Sequence, residues 1–450
     1  MSRRVLVVTA DHVGDRMAGP AIRAVNLARE LARLGFEVTL AAPNGTGASI
    51  DDVSSTRLDP HDARGTTALA SAHDAVVAQR LPAAATISLA GSDTRVVYDL
   101  YDHVPHELMA AAHARSPRSS DELQLTRHRL WLETVLRAGD AFICASERQR
   151  DLWLGALGVL GRLEHEGHAH DPTFRHLIDV VPFGIEAEPP STNAAGHRGV
   201  LAGVDADSKV LIWGGGLWNW LDPLTAIRAV HEVSRTLPDV RLVFMGLDRP
   251  NSQVAETSMA ERAVALAREL GVLDSNVVFN REWVPYEQRG SWLAQANIGV
   301  SAHFDTLETR FAFRTRLLDY LWAGLPIITT EGDVLSDLVR EKRLGATVRA
   351  GDVAGWVSAV RALLGDDGSL EAAAARVAVE RERFYWSVVV EPLARLLAEP
   401  SQPRRLPRST RLRAMHADYL GARISLARRG IGGTLQALVE RRSRRSARLP

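Results

Sequence analysis

The chain has 450 residues, of which 46% are hydrophobic and 24% charged, a composition typical of a globular protein of about two to three domains. Its formal net charge is zero, but residues 401–450 hold 13 arginines against two acidic residues, which leaves residues 1–400 acidic. No run of about 18 apolar residues occurs, so no membrane-spanning helix is predicted. The single cysteine, Cys144, excludes an internal disulfide and is typical of a cytoplasmic protein.

The first part of the chain alternates strand-like apolar runs with helical patterns. Residues 5–10 predict a buried strand, and apolar positions from Ile22 to Leu34 predict a helix that stops at Gly35. Because strands separated by helices pair in parallel, residues 1–185 are predicted to form a doubly wound, Rossmann-like α/β domain. Its further strands are predicted at 36–43, 74–79, 95–100, 140–146 and 179–184.

A polar stretch rich in Pro, Gly, Ser and Thr at 185–199 is interpreted as a linker. After it a second alternating set predicts another Rossmann-like domain over 200–375, so two domains are expected to face each other across a cleft. Ligands in such sheets bind beyond the carboxyl ends of the strands. The second set of strands is predicted at 209–216, 241–246, 276–280, 297–302, 326–330 and 346–351.

The arginine-rich tail at 401–450 contains a helix candidate that allows two interpretations. An amphipathic segment would lie on an anionic membrane surface, whereas the alternative, which is favoured because the apolar face is modest, is a disordered solubilising tail. No aromatic residues are interleaved with the basic ones, so nucleic-acid binding is not expected. The apolar residues of the membrane interpretation are Met415, Tyr419, Leu420, Ile424 and Leu426.

Two glycine-containing loops follow predicted strands. The loop at 11–20 carries Gly14 and Gly19 and precedes a helix with Pro20 in its first turn, which predicts either a phosphate- or acceptor-binding loop or a simple tight turn. The loop at 213–223 carries three consecutive glycines whose amides would form a nest for an anion, with Asp222 starting the next helix. The three nest residues are Gly214, Gly215 and Gly216.

A third loop, at 98–109, concentrates acidic residues and histidines. Asp102 and His103 are the candidates there for a general base or a substrate hydrogen bond, and a solvated polar loop is the equal alternative. The loop has the composition but not the spacing of a metal site, so no metal ion is predicted.

The fourth loop leads into a helix predicted to begin near Phe311. Arg314 and Arg316 would then lie in its first turns, where positive charge opposes the helix dipole, and a bound anion would cancel this cost. The alternative is an ion pair between Arg316 and Asp319, three residues apart.

Four segments together resemble the retaining, nucleotide-sugar-dependent glycosyltransferases of group 1, which have the GT-B fold: GPAIRAVNLARELARLGFEV, VVPFGIE, DYLWAGLP and ERFYWSVVVEPLARLLAE. The resemblance covers about residues 4–395 of the sequence. It implies two Rossmann-like domains, with a crossover helix over 376–398 that returns to the first domain. No Asp-x-Asp pair stands at a strand end of the second domain, so no metal ion is expected, and no cofactor is expected besides the nucleotide diphosphate sugar as co-substrate.

The resemblance assigns roles to single residues. Asp319 matches the second motif acid, which implies a contact with the ribose hydroxyls of the donor, but the first motif acid falls on Phe311. Glu308 is the candidate to replace it at the donor sugar. The family's arginine and lysine are also missing from the glycine loop, so Arg314 and Arg316 are predicted to hold the diphosphate.

The predicted function is glycosyl transfer from a nucleotide diphosphate sugar to a hydroxyl of a glycan or lipid-linked acceptor, in cell-envelope polysaccharide or glycolipid synthesis. The predicted location is the cytoplasm, at the inner face of the membrane. Two alternatives remain. A nucleotide-sugar epimerase on the same fold would need an acid–base set, and a non-catalytic scaffold would account for Phe311.

Overall fold

The computed structural model describes residues 2–14, 17–45, 50, 52–113, 119–191, 196–198, 200–247, 259–282, 284–365, 367–421 and 423–424. The strands in this part of the chain form two sheets, and each sheet pairs its strands in parallel throughout. The predicted α/β architecture of two doubly wound, Rossmann-like domains is therefore confirmed.

The first sheet has the order β3-β2-β1-β4-β5-β6-β7. Alternate side chains of β1 enter opposite layers, since Val5 and Val7 pack in one apolar cluster and Leu6 and Val8 in another. The polar sequence VSSTR of β3 lies at the sheet edge, mostly exposed, which is why apolar patterning does not predict it. The strands are β1 (Arg4–Val8), β2 (Glu37–Ala42), β3 (Val53–Arg57), β4 (Ala75–Ala78), β5 (Arg95–Asp99), β6 (Ala141–Cys144) and β7 (Ile178–Val180).

Helices cover both faces of this sheet. They are α1 (Gly19–Arg33), α2 (Ala63–Ser71), α3 (Ala83–Leu89), α4 (Val104–His113), α5 (Ser119–Ala138), α6 (Glu147–Val159) and α7 (His165–His170).

The second sheet has the order β10-β9-β8-β11-β12-β13. In both sheets the strand order reverses beside the first strand, between β1 and β4 in one and between β8 and β11 in the other. Sheets of this kind bind ligands at such a reversal, beyond the carboxyl ends of the strands. The strands are β8 (Lys209–Trp213), β9 (Val240–Phe244), β10 (Val277–Phe279), β11 (Ile298–Ser301), β12 (Ile327–Thr330) and β13 (Gly345–Val348).

Eight further helices are associated with these strands in the described residues: α8 (Pro223–Val233), α9 (Met259–Glu269), α10 (Arg289–Ala294), α11 (Leu307–Phe311), α12 (Thr315–Trp322), α13 (Val334–Lys342), α14 (Val353–Gly365) and α15 (Asp367–Glu380).

The chain passes between the two sheets twice, and the two passages lie side by side. Ile185 donates its amide to the carbonyl of Phe384 at 2.7 Å and accepts from the amide of Trp386 at 3.0 Å. Gly184 has no room for a side chain, because a Cβ there would lie 2.4 Å from the Trp386 ring. Where the chain crosses between the domains, the two segments are therefore hydrogen-bonded to each other through their backbones.

The segment 376–398 is not the single crossover helix that the resemblance implies. After α15 ends, a 3₁₀ turn at Arg381–Phe384 leads to Tyr385, whose extended backbone (φ −58°, ψ 136°) interrupts the helix. Two short helices follow, α16 (Trp386–Val389) and α17 (Glu391–Ala398). The last of them packs against β5 and β7 of the first sheet.

The prediction of a disordered tail is wrong for residues 401–424 as far as they are described. Residues 408–421 are helical, and this C-terminal helix buries Ala414, Ala417 and Leu420 at helical spacing, with Ile424 beyond it also buried. Alanines leave little apolar signal but let a helix approach a surface closely, so the sequence pattern understates this face. The remaining residues of the tail, including Leu426, lie outside the described residues.

The membrane interpretation of the tail also changes in detail. Leu420 and Ile424 face the protein, whereas Met415 and Tyr419 face solvent. Across the described residues, no helix combines the length and apolarity needed to cross a bilayer.

Candidate active site

The glycine loop after β8 is built around Tyr320 of α12. The Tyr320 hydroxyl accepts a hydrogen bond from the amide of Gly214 at 2.9 Å and donates to the carbonyl of Val300 at 2.7 Å. The predicted nest of three bare amides is thus wrong for Gly214. The amides of Gly215, which has a φ of +77°, and Gly216 have no partner among the described residues.

The same loop is fastened to the end of β11. The amide of Asp222 donates to the carbonyl of Ala302 at 2.9 Å. The Asp222 carboxylate accepts from the amide of Thr225 at 3.2 Å and so caps α8 as predicted. Trp218 and Trp220 stack on each other, with ring centroids 5.5 Å apart and planes 7° apart. These contacts hold the loop in one conformation without a bound ligand.

The helix predicted to begin near Phe311 begins four residues later. The one-turn helix α11 is capped by Thr306, whose hydroxyl accepts from the amide of Thr309 at 3.4 Å. Ala312 is extended (ψ 145°) and ends that turn, so α12 starts at Thr315 with Arg314 in the N-cap position. This break separates the environments of the two arginines.

Arg316 lies between α12 and the glycine loop. Its Nη2 donates to the carbonyl of Gly216 at 2.9 Å, and its guanidinium carbon is 4.9 Å from the ring centroid of Trp213. Its Nη1 is buried with no hydrogen-bond partner among the described residues. Burial lowers the pKa of Arg316 to about 10, so the side chain stays charged at neutral pH.

Asp319 pairs with Arg289 and not with Arg316. Arg289 Nε lies 3.2 Å from Asp319 Oδ1, and the Arg289 guanidinium carbon lies 4.6 Å from the ring centroid of Trp322. The Asp319 side chain remains 32% exposed. It is therefore held in place while part of its carboxylate still faces solvent.

Arg314 is committed to a buried ion pair. Its Nη2 lies 2.7 Å from Glu308 Oε2, and the two side chains are 8% and 3% exposed. Glu308, the candidate for the donor sugar, is therefore neutralised by the neighbouring arginine. In this arrangement the pair fixes the loop between β11 and α12.

Phe311 and the loop around it contact the first domain. The Phe311 ring lies 5.5 Å from the ring of His106 and 6.4 Å from that of His103, centroid to centroid. Nε2 of His103 hydrogen-bonds the carbonyl of Glu308 at 3.0 Å, and Gln149 donates to the carbonyl of Phe311 at 2.9 Å. The position that departs from the family pattern is thus a contact between the two domains.

His103 is buried and uncharged at neutral pH. Burial lowers its pKa to about 4, although the charge and carbonyl of Glu308 act in the opposite direction. Its hydrogen bond to the Glu308 carbonyl links its own loop in the first domain to the loop after β11 in the second domain.

The first-domain side of the cleft is acidic. Burial raises the pKa of Asp102 to about 7 against a hydrogen bond from Tyr101 that lowers it, and the charges of Asp99 and Asp11 add to the rise. Burial beside Asp102 and Glu308 also holds the pKa of Glu107 well above its usual value. The Asp102 carboxyl group is therefore able to hold or accept a proton near neutral pH.

Asp99 has a structural role instead. Arg23 of α1 grips its carboxylate with two nitrogens at 2.6 and 3.1 Å, and both side chains are buried. The same guanidinium donates to the carbonyls of Val181 and Pro182. The pair connects α1, β5 and the end of β7.

The loop at 11–20 reaches this acidic edge. Gly14 has a φ of +148°, and α1 begins at Gly19, where a Cβ would lie 3.7 Å from the Tyr101 hydroxyl. Gly19 therefore brings the first turn of α1 close to the residue next to Asp102. Residues 15 and 16 of the loop lie outside the described residues.

A cavity of about 640 Å³, a size at which proteins bind small molecules, lies between α4 of the first domain and the second domain. Its walls come from α4 of the first domain and from the loops after β8 and β11 of the second. They are lined by His106, Met109, Ala110, Asn219, Trp220, Arg262 and 304–308.

Sequence reasoning missed two residues that organise the site. Arg289 lies 30 residues before its partner Asp319, and the Tyr320 hydroxyl spans about a hundred residues to Gly214. No local pattern predicts such contacts, although a tyrosine inside an apolar helical stripe is a weak sign. In the described residues, no group of three or more His, Cys, Asp or Glu side chains is arranged to hold a metal ion.

Comparison with known proteins gives matches to the second domain and to the whole fold. Residues 208–366 match the family model for glycosyl transferases group 1. The D-inositol 3-phosphate glycosyltransferase of Acidothermus cellulolyticus is 28% identical over 238 residues, 52% of this chain and 51% of that protein. The one of Nocardia farcinica is 25% identical over 221 residues, 49% of this chain and 47% of that protein. The chain thus spans about half the length of the curated relatives it matches.

Solved structures extend the likeness to both domains. Sucrose-phosphate synthase from Thermosynechococcus elongatus has a TM-score of 0.63 at 14% identity, covering 88% of this chain and 98% of that one. Anabaena HepE in complex with UDP-glucose has a TM-score of 0.62 at 14% identity, covering 88% and 99%. The predicted resemblance is therefore confirmed: the second domain matches the family model for glycosyl transferases group 1, and the two sheets together have the GT-B fold.

Proposed function

We propose that the protein transfers a glycosyl group from a nucleotide diphosphate sugar to a hydroxyl of its acceptor. The observation that carries this proposal is the position of Arg316. One of its nitrogens donates to the carbonyl of Gly216, and another is buried with no partner among the described residues; the amides of Gly215 and Gly216 in that loop have none there either. An unsatisfied charged donor next to free amides is suited to an anion such as a diphosphate.

The second-domain edge stabilises the leaving group. Negative charge builds up on the departing diphosphate as the bond to the sugar breaks, and donors fixed in advance lower the barrier most. Arg316 and the two glycine amides supply these donors, and the N-terminus of α12 adds its positive dipole end. Asp319, held by Arg289 but partly exposed, accepts hydrogen bonds from the ribose hydroxyls.

The first-domain edge receives the acceptor. Asp102 has a pKa of about 7 because it is buried, and it accepts a hydrogen bond or a proton from the attacking hydroxyl. His103, uncharged and bonded to the Glu308 carbonyl, keeps the two edges in contact and helps to exclude water. Gly14 and Gly19 let the first loop approach the acceptor.

The finer features of the reaction follow from the resemblance. Transfer proceeds with retention and without a metal ion, and the protein needs no cofactor beyond its donor. UDP-glucose bound to HepE makes a uridine donor the first to test. The names of the two curated relatives favour a small phosphorylated polyol as one acceptor class, beside a glycan or lipid-linked acceptor of the cell envelope.

A membrane-linked acceptor is supported by the outer face of the C-terminal helix. Leu412, Met415 and Tyr419 are 66%, 67% and 59% exposed and fall on one side of the helix, where Arg408 and Arg411 are also exposed. Apolar residues among arginines are typical of a helix that lies on an anionic bilayer. We therefore propose that this face contacts the inner surface of the membrane.

The proposed function is tested by calorimetric titration with UDP, GDP and ADP and their glucose conjugates, followed by transfer assays with the donor that binds. Tight binding of one nucleotide sugar and its consumption only when an acceptor is present would support the proposal. Binding without transfer to any acceptor would favour the non-catalytic scaffold. Conversion of the donor to its epimer without acceptor would favour the epimerase.

A further inference from the structure

A second group of basic residues lies on the first domain, away from the glycine loop. Arg80 follows β4 by two residues, and Arg127, His128 and Trp131 project from α5. The guanidinium carbon of Arg80 lies 5.2 Å from the ring centroid of Trp131. These four residues are called the basic cluster below.

The basic cluster has unsatisfied hydrogen-bond donors. Within the described residues, the guanidinium groups of Arg80 and Arg127 have neither an ion pair nor a hydrogen bond. Nδ1 of His128 and Nε1 of Trp131 are buried and also have no partner there. Buried polar atoms are nearly always bonded, so two buried nitrogens without a partner, next to two arginines that also have none in the described residues, point to a ligand.

The charge of the cluster is also unbalanced. Burial and the charge of Arg127 lower the pKa of Arg80 to about 10. Burial and the two arginine charges lower the pKa of His128 to about 4. Burial is the larger cause of each shift, and the neighbouring arginine charges add to it.

The C-terminal helix covers one side of the cluster. A Cβ at Gly421 would lie 2.9 Å from Arg127 Nε, so a larger residue there would displace the Arg127 side chain. Asp418 on the same helix is the acidic group whose charge acts on both arginines. No ion pair joins it to either of them within the described part of the chain, so the positive charge is opposed but not neutralised.

We propose that the basic cluster binds the phosphoryl group of a phosphorylated acceptor. This inference rests on the proposed function, whose acceptor it makes specific. Two arginine forks offer parallel N–H donors that match the oxygens of a phosphate monoester, and Trp131 supplies a further N–H. Because an oxygen-rich, doubly charged group is needed to match two arginines, a neutral sugar does not fit.

The place of the cluster in the sheet agrees with an acceptor role. β4 lies between β1 and β5, so Arg80 leaves the sheet at the same edge as Asp11 and Asp102. If Arg80 held the phosphate of a small acceptor, the rest of the acceptor would lie on the cleft side of that edge. Its reacting hydroxyl could then hydrogen-bond to Asp102. The cluster thus fixes one end of the acceptor and Asp102 the other.

Asp418 competes with the bound phosphate in this arrangement. Its carboxylate approaches the arginines from the C-terminal helix, and a doubly charged phosphate would have to enter against its repulsion. Removing this charge is therefore expected to strengthen binding, which is the opposite of what a structural ion-pair partner would do. Through Asp418, the C-terminal helix would therefore contribute to the selection of the acceptor.

The test is calorimetric titration of the full chain with glucose 6-phosphate, with glucose as its uncharged match. Dihexanoyl phosphatidic acid and dihexanoylglycerol, which lacks the phosphate, form a second pair that identifies a lipid-borne phosphate. The variants are Arg80→Met, Arg127→Met and Asp418→Asn. Arg129→Met is the matched control, because Arg129 is exposed on the same helix.

Binding of either phosphate compound but not of its uncharged match would support the proposal. Arg80→Met or Arg127→Met should weaken this binding about tenfold to a hundredfold, since charged hydrogen bonds are lost. Asp418→Asn should strengthen it several-fold, and Arg129→Met should leave it unchanged. Equal binding of phosphorylated and neutral compounds, or weaker binding by Asp418→Asn, would overturn it.

Titration with UDP separates this proposal from the proposed function. The arginine variants should bind UDP as the wild type does, which also shows that they are folded. Phosphate binding by the cluster in a protein that binds no nucleotide would refute the donor site and leave the cluster standing. Nucleotide binding without phosphate binding would refute the cluster alone.

Discussion

The two edges of the cleft have opposite chemistry. The first-domain edge presents carboxyl groups whose pKa is raised, Asp102 and Glu107, while the second-domain edge presents glycine amides and Arg316. A hydroxyl nucleophile needs a proton acceptor, and a diphosphate leaving group needs cationic donors. The difference between the edges therefore matches the two halves of one transfer reaction.

Each edge also contains a charged residue that is held in a buried ion pair. Asp99 is gripped by Arg23 while Asp102, three residues later, has no such partner. Arg314 is paired with Glu308, whereas Arg316, two residues later, has no carboxylate partner among the described residues. Neighbours in sequence with the same charge thus have different tasks, and substituting them separately tests the assignment.

The largest effect is expected from Arg316→Ala. Loss of a fixed donor to the developing charge should lower kcat/KM by about 10²–10³-fold. The measurement is steady-state transfer with the best donor, together with calorimetric binding of its nucleoside diphosphate. Arg310→Ala is the control, since Arg310 is exposed in the preceding helix. Unchanged nucleotide binding in Arg316→Ala would remove the main support for the donor site.

Asp102→Asn should lower kcat by about 10²-fold, the usual contribution of a general base. Since the carboxylate has to be ionised and its pKa is about 7, the wild-type rate should rise with pH through neutrality. The variant should lack this rise. The comparison with Asp99→Asn is decisive, because breaking that buried pair should instead cost about 3–5 kcal/mol of folding stability. Similar pH profiles for Asp102→Asn and wild type would contradict the assignment.

Glu308→Gln should lower kcat/KM by about tenfold, through the loss of a charged hydrogen bond that positions Arg314. A double-mutant cycle with Arg314→Met shows how Glu308 acts. If it works only through Arg314, the second substitution should add little. Additive effects, with weaker binding of the nucleotide sugar but not of the nucleotide, would mean that Glu308 touches the donor sugar.

The smallest effect concerns acid stability at the contact between the edges. In the folded protein the His103 imidazole has a pKa of about 4 and stays neutral above that pH. In the unfolded chain its pKa is about 6.5, so it takes up a proton below that pH. Stability should therefore fall as pH drops from 6.5 toward 4. Thermal unfolding across this range should show a shallower fall for His103→Gln than for the wild type. An equal slope would place the acid sensitivity elsewhere.

The sequence was sufficient to predict the fold because buried parallel strands are apolar along their whole length. Only β3 is not predicted, because its sequence VSSTR is polar and lies mostly exposed at the edge of the first sheet. The C-terminal helix was misjudged for a related reason: Ala414 and Ala417 contribute close packing but little hydrophobicity.

The loops that carry the candidate site were also predictable, because they follow the strands, but the state of each side chain was not. Nothing local distinguishes Arg314 from Arg316 until Ala312 turns the backbone and Glu308 comes into reach. Likewise Asp319 meets Arg289 and Gly214 meets Tyr320 only through tertiary packing. Such contacts depend on where distant segments come together, and a linear pattern does not contain that information.

The paired passages at Ile185 and Phe384–Trp386 have a mechanical consequence. Two backbone segments that are hydrogen-bonded to each other, with Trp386 packed onto Gly184, resist sliding but allow a change in angle. We therefore expect any relative movement of the two domains to be a rotation near these residues, in which a small turn gives a larger displacement at the far end of the cleft. Donor and acceptor would then enter by that far end, and products would leave by it.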